Sequence, residues 1–207
     1  ANAQLEEMLR QQQTVLTGQQ WKVAERIIKE IKSIEKVTTS KLMGMADDTG
    51  GTLAGLEFRV KKIDSLARKI AGGAGPEDIN DALRYTIVYE PESFAKNAVD
   101  VMAKLERSGF EKIAVKNTFR PGSPYMGVNT TFKTPQGKLF ELQFHTPSSF
   151  NVKQSLNHVL YEEARLINNT TAKAAKKLAG LEAKMVENSS GIRIPRSVDM
   201  IKAFAAE

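Results

Sequence analysis

The chain has 207 residues, and its content of 41% hydrophobic and 26% charged residues excludes an intrinsically disordered protein. Its 30 lysines and arginines exceed its 24 acidic residues, so the net charge of +6 favours anionic partners such as nucleotides, nucleic acid or acidic protein surfaces. The absence of cysteine excludes disulfides, iron–sulfur clusters and thiol nucleophiles, and no apolar run approaches the roughly 18 residues of a membrane-spanning helix, so we expect no membrane partner.

The N-terminal part of the chain has a helical pattern. Residues 2–46 are predicted to be helical, with an interruption near Gly18, and residues 1–50 to form a helical extension. Apolar residues recur at helical spacing in its second half, as in a packing face; they are Val23, Ile27, Ile31, Ile34 and Val37. No leader pattern follows Ala1, so we expect a piece of a longer protein.

Patterns typical of strands and helices alternate in the rest of the chain. The predicted strands are residues 56–61, 83–89, 112–116, 126–133 and 138–144. The predicted helices are residues 64–70, 92–108, 151–167, 171–187 and 197–205. This order indicates an α+β fold, a mixed β-sheet of about five strands flanked by helices, with its core at 51–170 and packing helices at 171–207.

A basic cluster forms the first candidate site. Arg59 and Lys61 would lie on one side of an extended segment, and Ser65 and Lys69 would share a face of the following helix, which Asp64 or Ser65 would cap. Three cations and a hydroxyl near a helix N-terminus suit a polyphosphate. The alternative interpretation is a solvated basic turn.

Acidic residues precede the predicted strand at 83–89. Asp81 at the start of a buried strand would be able to hold Mg²⁺ through one or two oxygens, with water and phosphate as the other ligands. The alternative is that Asp78 caps a helix and that Asp81 and Arg84 form a surface ion pair.

Three polar residues alternate with apolar ones in the last predicted strand. Glu141, Gln143 and His145 share one face, whereas Leu142 and Phe144 point to the core. Three polar groups on one face are not needed for folding and therefore suggest a site. A solvent-facing sheet surface is the alternative.

Aromatic and basic residues flank this strand. Tyr125, beside a glycine on an exposed loop edge, offers a ring on which a base can stack, and Lys116 and Arg120 add positive charge. His158 and Tyr161 share a helix face, where a buried pair without a catalytic role is as consistent as a catalytic one.

Taken together, these motifs resemble the synthetase domain of the RelA/SpoT homologue family over about residues 53–166. The matching motifs are Arg59-x-Lys61-x3-Ser65-x3-Lys69, Asp81-x-x-Arg84, Tyr125-x-Gly127-x-Asn129 and Glu141-Leu-Gln143-x-His145-Thr146, in the family's order. The wording around them is most similar to secreted nucleotide 3′-pyrophosphokinases and to toxic alarmone-synthetase effector domains. The resemblance implies a fold related to the nucleotidyltransferases.

The resemblance also implies an activity, the transfer of pyrophosphate from ATP to the 3′-hydroxyl of a nucleotide, with release of AMP. Arg59 would stack on the adenine, and the ATP phosphates would be held by Lys61, Ser65, Lys69 and Arg84.

The cofactor implied by the resemblance is Mg²⁺. Asp81 would coordinate it, and Glu141 would complete the metal site or take the proton of the 3′-hydroxyl. Asp78 is a rival ligand, because the spacing from the basic cluster needs a gap.

On the acceptor side, the resemblance implies that Tyr125 stacks on the base and that Lys116 and Arg120 lie near the phosphates. The other residues that would line this side are Asn129, Gln143, His145 and His158. The acceptor would be GDP or GTP, ADP or ATP, or the 3′ end of tRNA, for which the lysines of the helix at 171–187 offer a basic surface.

The resemblance further implies a toxin domain, secreted or delivered into a target cell, acting in its cytoplasm and neutralised by an immunity protein. A non-catalytic nucleotide- or RNA-binding module on the same fold is the alternative from another class. Asp81 and Glu141 argue against that alternative, since carboxylates repel phosphate unless a metal lies between them.

Overall fold

A six-stranded mixed sheet forms the centre of the computed structural model, which describes residues 3–5, 7, 18–168 and 170–207. The strand order is β1-β2-β5-β4-β3-β6. The strands are β1 (Thr52–Ala54), β2 (Arg84–Val88), β3 (Glu111–Asn117), β4 (Val128–Lys133), β5 (Leu139–His145) and β6 (Phe204–Ala205). Strands β2 and β5 pair in parallel, and the other neighbours in this sheet are antiparallel.

Helices flank the sheet. They are α1 (Gly18–Thr49), α2 (Ile63–Ala71), α3 (Phe94–Arg107), α4 (Pro147–Asn151), α5 (His158–Arg165) and α6 (Ala172–Ser189). A π-helical segment, Val152–Asn157, joins α4 to α5. Among the described residues, no helix has both the length and the apolar character needed to cross a membrane.

The apolar face of the sheet forms the hydrophobic core. Ile87 on β2 lies beside Phe144 on β5, and Leu142 lies beside Thr130 on β4. The side chains of Ile87, Leu142 and Phe144 are inaccessible to solvent. The predicted core direction of Leu142 and Phe144 is confirmed.

The polar face carries the predicted site residues of β5. Arg84 on β2 lies opposite Glu141, which in turn lies opposite Thr131 on β4. Gln143 lies opposite Asn129 in the next row of the same face. Because directly paired residues point to the same side of a sheet, the polar groups of three strands meet here.

Helix α1 packs on the same core through its isoleucines. Ile27, Ile31 and Ile34 are buried, which confirms the predicted packing face at these positions. Val37 was predicted to continue the stripe but is 66% exposed, and Thr38 is buried in its place. Thr38 satisfies its hydroxyl by donating to the Ile34 carbonyl at 2.8 Å. The predicted helix at residues 8–17 lies outside the described residues.

The sheet has six strands rather than the five predicted, because one predicted strand is a turn and two short edge strands are additional. Residues 56–61 were predicted to be a strand, but they form a 3-10 turn at Leu56–Phe58 followed by a single bridge at Val60. Residues 197–205 were predicted to be a helix, but they contain a 3-10 turn at Val198–Met200 and the edge strand β6. The short edge strand β1 was not predicted.

Phe140→Ala is expected to lower the free energy of unfolding by about 3–5 kcal/mol, because the ring is fully buried and packs on Tyr85, Phe110 and Phe132. The matched control Phe58→Ala removes a ring that is 66% exposed and should change stability by about 0.5 kcal/mol or less. Urea unfolding of both variants tests this, and equal losses would contradict the position of the core.

Candidate active site

A cavity of about 780 Å³ lies on the polar face of the sheet. Its walls come from α2, the loop that carries Tyr125, the π-helical segment, α5 and α6. This volume lies in the upper part of the range usual for small-molecule sites. Its floor is formed by the polar side chains of β2, β4 and β5.

Asp81 forms ion pairs with three cations of the cavity. Its Oδ2 accepts from Lys61 Nζ at 2.9 Å and from Arg84 Nη2 at 3.3 Å, and its Oδ1 accepts from Lys69 Nζ at 2.8 Å. Burial raises the pKa of Asp81, but the bond from Lys69 and the charge of Lys61 outweigh it and bring the pKa down from 3.8 to about 2. The Asp81–Arg84 ion pair of the alternative interpretation is therefore present, but it is not a surface pair, since Asp81 is 8% exposed.

Arg84 connects the two carboxylates of the site. Its Nε donates to Glu141 Oε2 at 2.9 Å while its Nη2 donates to Asp81. Burial lowers the pKa of Arg84, but the charges of Glu141 and Asp81 more than compensate, so the pKa is raised. One guanidinium therefore holds two acids close together, one just before β2 and one on the neighbouring strand β5.

The contacts continue along β5 to the helical wall. Gln143 Nε2 donates to Glu141 Oε1 at 2.9 Å, and Lys153 Nζ on the π-helical segment donates to Gln143 Oε1 at 2.5 Å. We call this continuous set of contacts the polar row; it consists of Lys61, Lys69, Asp81, Arg84, Glu141, Gln143 and Lys153.

Tyr125 is fixed at one side of the cavity by two hydrogen bonds. Its hydroxyl donates to Asn129 Oδ1 at 2.7 Å and also contacts His145 Nε2 at 2.9 Å. The two rings meet edge-on with their centroids 5.5 Å apart. Burial, with a smaller effect of the charge of Lys153, lowers the pKa of His145 to about 3, so His145 is neutral at pH 7. Its Nδ1 contacts Ser149 Oγ at 2.8 Å.

Asn157 ties the walls of the cavity together. Its amide nitrogen donates to the carbonyls of Pro124 and Met185, at 3.1 and 3.3 Å, and its Oδ1 accepts from Asn188 at 3.0 Å. These bonds join the end of the π-helical segment to α6 and to the loop before Tyr125. A π-helical turn often marks a functional site, because its irregular backbone redirects side chains.

Ten of the predicted site residues line the cavity: Lys61, Ser65, Lys69, Asp81, Arg84, Tyr125, Asn129, Glu141, Gln143 and His158. The rival ligand Asp78 lies outside this lining, in an exposed turn where its Oδ2 accepts from the Gly75 amide at 3.2 Å, as its predicted capping role requires. Tyr125 was predicted to be exposed but is partly buried. His158 and Tyr161 are exposed at the rim, so the buried-pair interpretation is wrong.

Four predicted site residues lie elsewhere. His145 is buried behind Tyr125, and Lys116 and Arg120 are exposed outside the cavity lining. Arg59 does not share a side with Lys61, because Arg59 ends a 3-10 turn in helical conformation instead of lying on a strand. Its guanidinium is paired with Glu35 of α1 and donates to the Leu56 carbonyl at 2.6 Å. The helix cap predicted at Asp64 or Ser65 is also wrong, because Lys62 occupies that position without a side-chain cap.

The sequence analysis missed several cavity residues, among them Arg68, Lys153, Asn157 and Arg165. Arg68 carried a signal, since it adjoins Lys69 in the basic cluster. Lys153 carried none, because a lysine in an ordinary amphipathic helix is expected to be solvated, and the π-helical turn that redirects it is not visible in the residue pattern.

The residues of the site suit an anionic ligand and a divalent cation. Among the described residues that line the cavity, six are lysine or arginine and three are aspartate or glutamate. No group of three or more potential metal ligands occurs among the described residues. Mg²⁺ commonly uses one or two carboxylates together with substrate phosphates, so the pair of Asp81 and Glu141 is a sufficient donor set.

This mixed sheet, with a charged cavity on its polar face, has the fold of the alarmone synthetases. No protein-family model matches the chain, and a search of curated proteins finds no significant match. Structural similarity to solved alarmone synthetases nevertheless confirms, at the level of the fold, the predicted resemblance to RelA/SpoT synthetase domains.

Three solved structures illustrate this similarity. The Type VI effector Tas1, crystallised with its immunity protein, is 22% identical with a TM-score of 0.58, over 80% of this chain and 97% of the crystallised chain. Small alarmone synthetase 2 from Bacillus subtilis is 15% identical with a TM-score of 0.54, over 80% and 94% of the two chains. Small alarmone synthetase 1 from Bacillus subtilis, bound to its product pppGpp, is 16% identical with a TM-score of 0.51, over 80% and 92%.

Asp81 is expected to make the stability of the fold depend on acid. Because its pKa is about 2 in the folded protein and 3.8 otherwise, its contribution of about 2 kcal/mol is complete above pH 4 and is lost as the pH falls through 2. Between pH 5 and pH 2, the free energy of unfolding of Asp81→Asn should fall by about 2 kcal/mol less than that of the wild type. Parallel curves in urea unfolding would contradict the ion-pair assignment.

Gly127→Ala is expected to disturb the position of Tyr125. An added Cβ would lie 2.7 Å from His145 Cε1 and 2.9 Å from the Tyr125 hydroxyl, so a loss of about 1–3 kcal/mol is expected. The control Gly180→Ala, in α6 with nothing within 4 Å of the added Cβ, should stabilise the protein by about 0.5–1 kcal/mol. Thermal unfolding measures both, and an unchanged Gly127→Ala protein would show that this contact is loose.

Proposed function

We propose that the protein transfers pyrophosphate from ATP to the 3′-hydroxyl of a nucleotide and releases AMP. The hydroxyl oxygen attacks the β-phosphorus of ATP and forms a new oxygen–phosphorus bond. The bond between that phosphorus and the bridging oxygen to the α-phosphate breaks, and AMP leaves with the bridging oxygen. The proton of the hydroxyl passes to Glu141 or to water.

The observation that carries this proposal is the pair of carboxylates, joined by Arg84, in a cavity where the charged lining residues are mainly cations. A cavity that only bound nucleotides would have no use for two acids beside its phosphates, since they repel an anion in the absence of a metal ion. Phosphoryl-type transfer needs groups that position two reactants and neutralise charge, and this cavity has both.

Lys61, Ser65, Lys69 and Arg84 would hold the donor phosphates. Lys61 and Lys69 are paired with Asp81 in this structure and would turn to phosphate oxygens when a triphosphate binds, which leaves the oxygens of Asp81 available to a cation. Arg59 is outside the cavity lining, and its proposed stacking on adenine requires it to leave Glu35.

Mg²⁺ is the proposed cofactor, with Asp81 and Glu141 as its protein ligands. When bound, it would neutralise the negative charge of the phosphates. The placement of Asp81 in the cavity, and of Asp78 in an exposed turn, favours Asp81 as the ligand.

The acceptor would lie on the Tyr125 side, with its base against the tyrosine ring. The hydrogen bonds of the Tyr125 hydroxyl fix the ring before a base arrives, which reduces the entropy lost on binding. GDP or GTP and ADP or ATP are the proposed acceptors.

We propose that the protein is an effector domain that acts in the cytoplasm of a target cell and is neutralised by an immunity protein. Support comes from its structural similarity to Tas1, an effector that binds an immunity protein. The motifs shared with toxic synthetase domains add to this support.

The proposed reaction is tested by incubating the chain with ATP, Mg²⁺ and one acceptor at a time from GDP, GTP, ADP and tRNA. AMP release is measured by chromatography. Asp81→Asn and Glu141→Gln should each lower the rate by about 100-fold or more, because each removes a charge that acts on the transferred group.

The control is Asp78→Asn, which changes an aspartate outside the cavity and should retain most of the activity. A loss of activity in Asp78→Asn, with activity retained in Asp81→Asn, would assign the metal ligand to Asp78. An absence of AMP with every acceptor, together with tight nucleotide binding, would contradict the enzyme and favour the binding module. AMP release with tRNA alone would favour the tRNA 3′ end as acceptor.

A further inference from the structure

Lys153 differs from every other cation that lines the cavity. Lys61, Arg68, Lys69, Arg84 and Arg165 each have a carboxylate within salt-bridge distance. Within the described part of the chain, Lys153 has none; its ammonium donates to the neutral amide oxygen of Gln143 and lies over the uncharged ring of Phe150, 6.0 Å from the ring centroid. A partly buried ammonium with a neutral partner loses hydration without a compensating negative charge, and an anionic ligand would supply that charge.

The charges around Lys153 reinforce this deficit. Burial and the nearby charge of Arg84 together lower the pKa of Lys153 to about 8, although the charge of Glu141 acts in the opposite direction. His145, whose pKa is lowered in part by the charge of Lys153, is neutral at pH 7. Lys153 is therefore protonated for the most part at pH 7 and poorly neutralised.

Lys153 also occupies a defined place in the cavity. It lies at one end of the polar row, whereas Lys61 and Lys69, the proposed donor-phosphate ligands, lie at the other end beyond Arg84 and both carboxylates. Its charge acts on His145, whose ring contacts Tyr125. Lys153 thus belongs to the side of the cavity where the acceptor is proposed to bind.

Few other cations are available on the acceptor side of the cavity to bind a phosphate. Lys116 and Arg120, which the resemblance assigns to the acceptor phosphates, are exposed and outside the cavity lining. Arg165 lies at the rim and is paired with Glu162 at 2.6 Å.

We propose that Lys153 binds a phosphate of the acceptor nucleotide and thereby restricts the acceptor to nucleotides with a 5′-phosphate group. This inference rests on the proposed function, because it assumes two nucleotides side by side. The ammonium moves from Gln143 Oε1 to a phosphate oxygen, a stronger acceptor because it is charged. Gln143 keeps its hydrogen bond to Glu141, so Lys153 can bind the acceptor phosphate while the position of the Glu141 carboxylate is unchanged.

The test is calorimetric binding at pH 7 with the donor site filled by α,β-methylene-ATP and Mg²⁺, an analogue whose α–β bridge cannot be broken in the transfer. GDP and ADP are titrated as charged probes, and guanosine and adenosine as uncharged ones. Lys153→Met should weaken the binding of the diphosphates by about 10- to 100-fold, the size of a hydrogen bond to a charged group, and should leave the nucleosides unchanged.

Two further variants control the experiment. Lys96→Met makes the same substitution on the exposed surface of α3 and should bind all probes as the wild type does. Lys153→Arg keeps the positive charge and should recover most of the diphosphate affinity. Thermal unfolding confirms that each variant is folded before titration.

Three outcomes would overturn the inference. They are an unchanged diphosphate affinity in Lys153→Met, an equal loss for diphosphates and nucleosides, and a loss confined to α,β-methylene-ATP, which would place Lys153 on the donor side. Failure of the proposed function is a separate result, because it is measured as an absence of AMP release by the wild type with ATP.

Discussion

The bridge from Arg84 to Asp81 and Glu141 is the interaction on which the rest of the site depends. Two carboxylates held close together in a partly buried cavity repel each other, and the repulsion is stronger there than in water. The parallel pairing of β2 with β5 places Arg84 directly opposite Glu141, and Asp81 lies just before the same strand. The guanidinium therefore neutralises both acids at once, and the other residues of the polar row are positioned by their contacts with this centre.

One face of the sheet packs into the hydrophobic core, and the opposite face carries the side chains of the candidate site. Leu142 and Phe144 pack into the core, while Glu141 and Gln143 alternate with them and point into the cavity. A shift of the strand by one residue would exchange the two sets, so the core that stabilises β5 also determines which side chains reach the ligand. The low sequence identity to the solved alarmone synthetases is compatible with the same fold, because many apolar residues can maintain such a core.

The residue pattern of the sequence was sufficient to predict the direction of side chains that lie within a single regular strand or helix. The alternation in β5 and the stripe of isoleucines in α1 predicted the two faces of the sheet and the packing face of the helix. It failed at Arg59, because a 3-10 turn and a strand have similar residue content here, and the conformation is decided by the neighbouring α1 and β2. Lys153 was missed because the π-helical turn that directs it into the cavity depends on the contacts of Asn157 with distant segments.

The sequence by itself determined the residue types of the site, the class of fold, and the face of each central strand that carries the chemistry. These properties depend on the amino-acid composition and on the spacing of apolar and polar residues, which are local features of the sequence. Only the tertiary structure decided which charges are paired, with Asp81 bound by three cations and Lys153 by none of the acids of the described chain. Asp81 and Arg84 are three positions apart, and the sequence analysis names that pair. The other ion pairs of the polar row join residues 12 to 57 positions apart, so they depend on how the strands and helices pack, and a residue pattern does not contain that information.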